Sequence, residues 1–228
     1  MLQRLIFERI EQRIVVGILA FLASMVLVGW IAINEGGRMA AFEEQFLARS
    51  IERGAMLFNA NCSTCHGPDG RGLAGRAPAL NSPYLFGHDY LAEFDREIDT
   101  LNIERQNANT TDARIVEIAA RLAELNTQRQ AVIDQIAQTI VNTGGDYNPE
   151  SSSRLSSLGW QGSLRSFVYT TLVHGRPLSG LYWNGQQMVA WGQTAGGPLR
   201  SDQLDDLTNY ILNWDKGSNW TLDDLFAV

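Results

Sequence analysis

Hydrophobic positions along this chain fall into three regimes. From residue 14 to residue 33 the sequence reads IVVGILAFLASMVLVGWIAI, an uncharged run of 20 residues. As a helix it spans about 30 Å, the thickness of a bilayer core, and predicts one membrane crossing. Trp30 and Asn34 stand where a signal peptide would carry small residues for cleavage, so the segment reads as an uncleaved anchor. After a short link containing Gly36 and Gly37, residues 39–60 place Phe42, Phe46, Leu47, Ile51, Ala55, Leu57 and Phe58 at helical spacing.

The second regime occupies residues 88–142. Leu91, Phe94, Ile98 and Leu101, then Ile115, Ile118, Leu122, Leu125, Val132 and Ile136, alternate spacings of three and four, with Arg129 interrupting the second arm. This is the seam of a coiled coil. A polar break, NANTTD at residues 107–112, separates the arms, and Thr111 or Asp112 can cap the second. The pattern predicts an antiparallel helical hairpin.

The third regime is punctuated. Residues 67–83 are rich in glycine and proline and read as ordered loop, and residues 143–159 read as a second loop. A helix is expected near residues 164–174. A last one is expected from about residue 201 to residue 214, capped by Ser201 or Asp202, with Leu204, Leu207, Tyr210, Ile211 and Trp214 on its apolar face. No run alternates convincingly as a strand, so the fold class is mostly α.

Charge adds orientation and excludes one class of partner. The net charge is −7, from 25 acidic against 18 basic residues, and no basic cluster stands in the folded part, so nucleic acid is not an expected partner. Arg4, Arg9 and Arg13 precede the apolar run and only Arg38 follows closely. That bias predicts a cytoplasmic N-terminus (residues 1–13) and an extracytoplasmic remainder, on the periplasmic side of an inner membrane. The hairpin carries a large share of the acidity, and a long arm with a narrow apolar stripe reads as a docking surface for another subunit as readily as a solvated spike.

The candidate chemistry lies in NANCSTCHGPDGRG, residues 59–72. Cys62 and Cys65 are the only cysteines, and His66 follows directly. Two thiols three positions apart can add to the two vinyl groups of one porphyrin, with the adjacent histidine under the iron; this is the c-type haem attachment pattern. Two alternatives use the same residues. A thioredoxin-like pair expects a strand before the cysteines, and a zinc site needs a fourth ligand, for which only His88 and His174 remain. The reading is one covalently attached haem c, with Cys62 and Cys65 as attachment points and His66 as an axial ligand.

These residues carry a family resemblance. GAMLFNANCSTCHG at residues 54–67, APALNSP at 77–83 and MVAWGQ at 188–193, before SDQLDDLTNYILNW at 201–214, together resemble a class I cytochrome c. The resemblance implies that residues 48–87 and 160–215 form the cytochrome domain and that the hairpin is an insertion. It also implies that Gly54 and Phe58 meet Tyr210 where the first and last helices of the domain cross. A proline carbonyl should orient the haem histidine, and Pro78 sits in that place, twelve residues after His66.

For the sixth iron ligand the resemblance points to Met188, although Val189 follows where a proline is usual. His174 in LVHGRPLSG is the rival, His88 a more remote one, and an open position the third option. Tyr182, Trp183 and Trp191 could wall the haem or reach its propionates, or could be core. No phosphate loop or paired carboxylates suggest catalysis by the chain itself.

The expected function is single-electron transfer by a membrane-anchored monohaem cytochrome c. The layout is similar to the monohaem cytochrome subunit of alternative complex III, a quinol-oxidising assembly. Expected partners are other membrane subunits through the hairpin 88–142, redox proteins at the haem edge, and the lipid bilayer. A free tethered carrier and a haem-based sensor are the other readings, and residues 216–228 are expected to form a C-terminal tail.

Overall fold

The computed structural model describes residues 9–73, 75–143, 147–149, 151–176 and 187–225. The chain is mostly α-helical, and among the described residues the only β contacts are isolated bridges. The helices are α1 (Ile10–Asn61), α2 (Ser63–His66), α3 (Pro83–Phe86), α4 (Ala92–Gln106), α5 (Asp112–Thr143), α6 (Arg154–Ser157), α7 (Leu164–His174) and α8 (Ser201–Leu212). Two compact units divide the chain, Met1–Arg49 and Ser50–Val228.

The first unit contains the N-terminal part of α1. Its apolar window is long enough to cross a membrane and is not buried within the protein. The expected link at Gly36 and Gly37 is absent, and the helix runs straight through both residues. Each glycine costs about 1 kcal/mol relative to alanine, but a break would require the helix to nucleate a second time. Strong helix formers flank the pair, and Arg38 bridges back to Glu35, Nε to Oε2 at 2.9 Å.

In the second unit α1 ends against α8. Gly54 is the point of closest approach: a Cβ there would lie 2.1 Å from the Asp206 carbonyl oxygen and 2.7 Å from the Tyr210 Cβ. One turn on, Phe58 packs its ring 5.5 Å from Tyr210 and 5.1 Å from Trp214, edge-on to the latter. This is the crossing that the sequence resemblance implied. A polar lock flanks it. The buried Asp206 carboxylate accepts from Ser50 Oγ at 2.6 Å and from Arg53 at 2.7 and 2.8 Å, while Asn209 Nδ2 donates to Ser50 Oγ at 2.8 Å. Burial alone would raise the Asp206 pKa. The hydrogen bonds from Arg53 and Ser50 outweigh it and hold the carboxyl below its usual range.

One core cluster gathers Phe58 and Cys62 with Leu85, Phe167, Val168, Leu172, Val173, Leu199, Leu204, Leu207 and Ile211. Helices α7 and α8 thus share a core with the end of α1. Ser163 Oγ caps α7 by accepting from the Ser166 N–H at 3.2 Å. The cap of α8 differs from expectation. Ser201 is the first helical residue rather than the cap, and the side chain of Gln203 accepts from the Arg200 backbone N–H at 3.0 Å.

Helices α4 and α5 form the antiparallel hairpin. Leu101, Ile118, Leu122 and Leu125 are buried between the arms, with Phe94 and Ile98 against them. Arg114–Glu104, Arg121–Glu97 and Arg129–Asp95 cross the gap at 2.7, 2.8 and 2.6 Å, a series that sets the antiparallel register. Arg129, which breaks the apolar repeat, is therefore a cross-link rather than a defect. Thr111 Oγ1 accepts from the Arg114 N–H at 3.4 Å and caps α5.

Within the expected C-terminal tail, residues up to Leu225 pack against the rest of the second unit. Leu222 and Leu225 join Ile136, Ile140 and Tyr147 in a cluster at the hairpin base. Trp220 is buried and stacks on Phe86 at 5.6 Å. The expected loop at residues 143–159 likewise contains a helical turn, α6, which packs against α3.

Candidate functional site

The cysteines and histidine occupy the turn in which α1 gives way to α2. The Cys62 N–H still donates to the Phe58 carbonyl at 2.8 Å, and the Cys65 and His66 N–H groups turn back to the Cys62 carbonyl at 3.1 and 2.9 Å. All three side chains therefore issue from one helical turn. Both thiols are free; Cys62 is buried in the core cluster and Cys65 is exposed. Burial, with a smaller contribution from Cys65, pushes the Cys62 thiol up to about 12. That is the reverse of a reactive dithiol, whose attacking thiol is acidified, and the pair is preceded by a helix, α1, rather than by a strand.

His66 is buried, with 7% exposure. Its Nδ1 lies 2.8 Å from the Pro78 carbonyl oxygen. A carbonyl can only accept, so Nδ1 carries the proton and Nε2 is left with its lone pair for a metal. Burial lowers the His66 pKa, the Pro78 carbonyl opposes this, and the charge of Arg154 lowers it further. The ring is a neutral imidazole held in one tautomer. A buried imidazole with one nitrogen fixed by a carbonyl and the other left with its lone pair could serve as a metal ligand.

The intervening loop brings Pro78 into place. Gly72 N–H donates to the His66 carbonyl at 2.8 Å, and the Gly70 carbonyl accepts from Leu80 and Asn81 at 2.7 and 3.0 Å. Gly70 has φ +71°, and a Cβ there would stand 2.4 Å from the Trp214 ring, so both its conformation and its neighbour exclude a side chain. The glycine-rich composition around the cysteines thus has a packing reason.

Met188 packs against the cluster that contains Cys62, and its carbonyl accepts from the Arg176 N–H at 2.8 Å. His174 ends α7 with its side chain exposed. His88 faces Tyr90, ring to ring at 4.6 Å. Trp191 also packs against the Cys62 cluster, and its backbone bridges Leu172 and Leu199. Tyr182 and Trp183 lie outside the described residues. Among the described residues no group of three or more His, Cys, Asp or Glu side chains could hold a metal ion, so the zinc alternative finds no donor set there.

Two aromatic contacts escape the sequence reading, Trp214 over Gly70 and Trp220 on Phe86. Trp214 was visible only as part of the apolar face of α8. The second had a local signal: Thr221 and Asp224 form a capping pair directly after Trp220, which marks an ordered turn.

Residues 51–138 match the family model described as Cytochrome c. The match covers less than half of the chain; it includes Cys62, Cys65, His66 and Pro78, runs into the hairpin, and stops before Met188 and α8. No curated protein and no solved structure matches the chain. The chain thus carries a cytochrome c domain, which implies covalently attached haem c and electron transfer. The residues present fit that group: two free thiols and a buried imidazole leave one turn, with the ring's Nδ1–H already bonded and its Nε2 open.

Proposed function

We propose that this protein is a membrane-anchored monohaem cytochrome c that transfers single electrons on the extracytoplasmic face of an inner membrane. The observation that carries the reading is the 2.8 Å contact of His66 Nδ1 with the Pro78 carbonyl, one helical turn from two free thiols. Cys62 and Cys65 are the attachment points, His66 is the proximal ligand and Met188 the distal one. Packing favours Met188 over His174, since the methionine lies against the cluster around Cys62 while the histidine faces solvent. Bound there, haem supplies a one-electron couple, and methionine ligation raises its potential. The chain contributes ligands, a dry core and an oriented imidazole.

The long apolar part of α1 supports the anchor. The hairpin, with its own buried seam and ion pairs, supports residence as a subunit of a quinol-oxidising membrane complex, docked through residues 88–142, and the layout resembles that of alternative complex III. The test is an oxidised optical spectrum of the detergent-solubilised protein beside Met188→Ala. The wild type should show the far-red band of methionine-ligated ferric haem and the variant should lack it; a band that survives refutes the ligand. Mild detergent extraction should bring stoichiometric subunits along, whereas a free carrier elutes alone.

A further inference from the structure

Beyond its apolar run, the part of α1 in the first unit carries an exposed aromatic face. Between residues 34 and 46 the large apolar side chains are Met39, Phe42 and Phe46, spaced by three and four. Phe42 is 43% exposed and Phe46 63%, and their rings stand 6.5 Å apart on one side of the helix. At 1.5 Å per residue they lie about 14 and 20 Å beyond Ile33, the last residue of the apolar run, whereas the headgroup layer is only about 6 Å deep on each side. Lipid does not cover these rings.

Because α1 runs unbroken through Gly36 and Gly37, the phase of this face can be followed back along the helix. Phe21, Met25, Val28, Ala32, Glu35, Met39, Phe42 and Phe46 are separated by four and three residues in strict alternation. That is the seam of a coiled coil. Inside the apolar run every phase is apolar, so the three residues beyond it carry the argument. Arg49 takes the next position and ends the series.

The flanks decide the occupant. Arg38 borders the seam on one side, a residue before Met39, and Glu43 borders it on the other, a residue after Phe42. When two such helices pair in parallel, the first flank of each faces the second flank of the other five residues on, so Arg38 meets Glu43 of the second copy. The face is complementary to itself, as a two-fold interface requires. Arg38 already leans over the seam: its guanidinium lies 5.5 Å from the Phe42 ring centroid and its Nε bonds Glu35 Oε2 at 2.9 Å. Glu35 is thereby neutralised, and one polar group in a seam fixes its register at some cost in stability. Anchored chains all enter the membrane in one direction, so the parallel pairing is the one they sample, and confinement to one plane raises their effective concentration. We infer that α1 pairs in parallel with α1 of a second copy of this chain through Met39, Phe42 and Phe46, flanked on both sides by ion pairs between Arg38 and Glu43. The inference rests on the anchor reading above and uses a face distinct from the hairpin.

The test is oxidative cross-linking of the full-length, haem-loaded protein in its native membranes, as the unsubstituted chain, Phe42→Cys and Glu44→Cys, read on a non-reducing gel. A disulfide needs Cα atoms within about 7 Å, so Phe42→Cys should give a product of twice the chain mass, and Glu44→Cys, on the far side of the helix, about a tenth as much or less. Equal yields overturn the inference. So does a Phe42→Cys product of any other mass, which would place a different subunit on the face.

The mass of the detergent-solubilised protein over a dilution series reads the flanks. Arg38→Glu and Glu43→Arg should each weaken the dimer about tenfold, since each exchanges attraction for repulsion twice over, and the double exchange should restore it. A double variant weaker than either single one, or a wild type that stays monomeric, overturns the pairing. Failure of the anchor reading shows separately, as release of the chain from membranes by alkaline carbonate, whatever cross-links form.

Discussion

The α1–α8 crossing and the α4–α5 hairpin are both pairs of packed helices, yet they are held by opposite means. At the crossing the backbones approach until no side chain fits between them, and a buried carboxylate with three donors locks the contact. In the hairpin the arms keep the spacing of a repeated apolar seam, and the charged groups that bridge them are largely open to solvent. The crossing is specified at a few positions that tolerate no change. The hairpin is specified by a period, so its stability is spread over many positions.

The largest expected effect follows at Gly54. A leucine there would place its Cβ inside the Asp206 carbonyl and against Tyr210, backbone and near-backbone atoms that cannot swing aside. Gly54→Leu should cost more than about 4 kcal/mol, enough to prevent the domain from folding around its haem. Thermal unfolding followed at the haem absorbance checks this, and a variant melting within a few degrees of wild type would contradict the crossing. In the hairpin the matching change is Leu125→Ala. Leu125 is 1% exposed, and its truncation should cost about 3 kcal/mol. That loss should appear as faster hydrogen exchange in α4 and α5, with the haem spectrum unchanged.

The same contrast explains what could be read from sequence. The hairpin was legible almost residue by residue, because Phe94, Ile98, Leu101, Ile118, Leu122 and Leu125 repeat at a helical period and bury as that period predicts. The turn bearing Cys62, Cys65 and His66 was legible because its spacing is itself chemistry, and Pro78 was found only through the family resemblance. What stayed hidden depends on long-range placement. Nothing local announces that Asp206 will meet Ser50 and Arg53 across more than 150 residues, or that Trp214 will cover Gly70. The continuity of α1 through Gly36 and Gly37 was missed for a different reason. Two glycines read as a break unless the helix formers on both sides are weighed together.

A change of pH sharpens the comparison at Asp206. Its carboxyl titrates lower in the folded protein than its ordinary 3.8, because the donors from Arg53 and Ser50 outweigh burial. The folded state binds the proton less readily than the unfolded one. The carboxylate therefore contributes stability that is fully present above about pH 4 and is lost as pH falls through the lower folded value. Asp206→Asn should destabilise the protein by about 2 kcal/mol at pH 7. The deficit relative to wild type should shrink below pH 4, where the wild-type carboxyl also takes up its proton. Denaturant titrations at pH 7 and pH 3 measure the two differences, and a deficit equal at both would show that the charge is not what locks the crossing.

The smallest effect is expected at Arg121. It reaches Glu97 across the hairpin at 2.8 Å and Glu124 along α5 at 3.0 Å, but its side chain is 41% exposed and its partners are 44% and 56% exposed. Water screens such pairs, and ordering three long side chains offsets most of the attraction. Arg121→Ala should therefore have the smallest effect on stability of the variants considered, and a smaller one still at high salt. Arg53 is also half exposed, but it grips one buried carboxylate where Arg121 bridges two exposed ones. Comparing Arg121→Ala with Arg53→Ala in low and high salt weighs burial of the acid against the number of partners. If burial of the acid is what makes an ion pair matter here, Arg53→Ala should be the more costly at both ionic strengths and the less sensitive to salt. Equal losses would mean that the crossing and the hairpin are held by the same weak surface electrostatics.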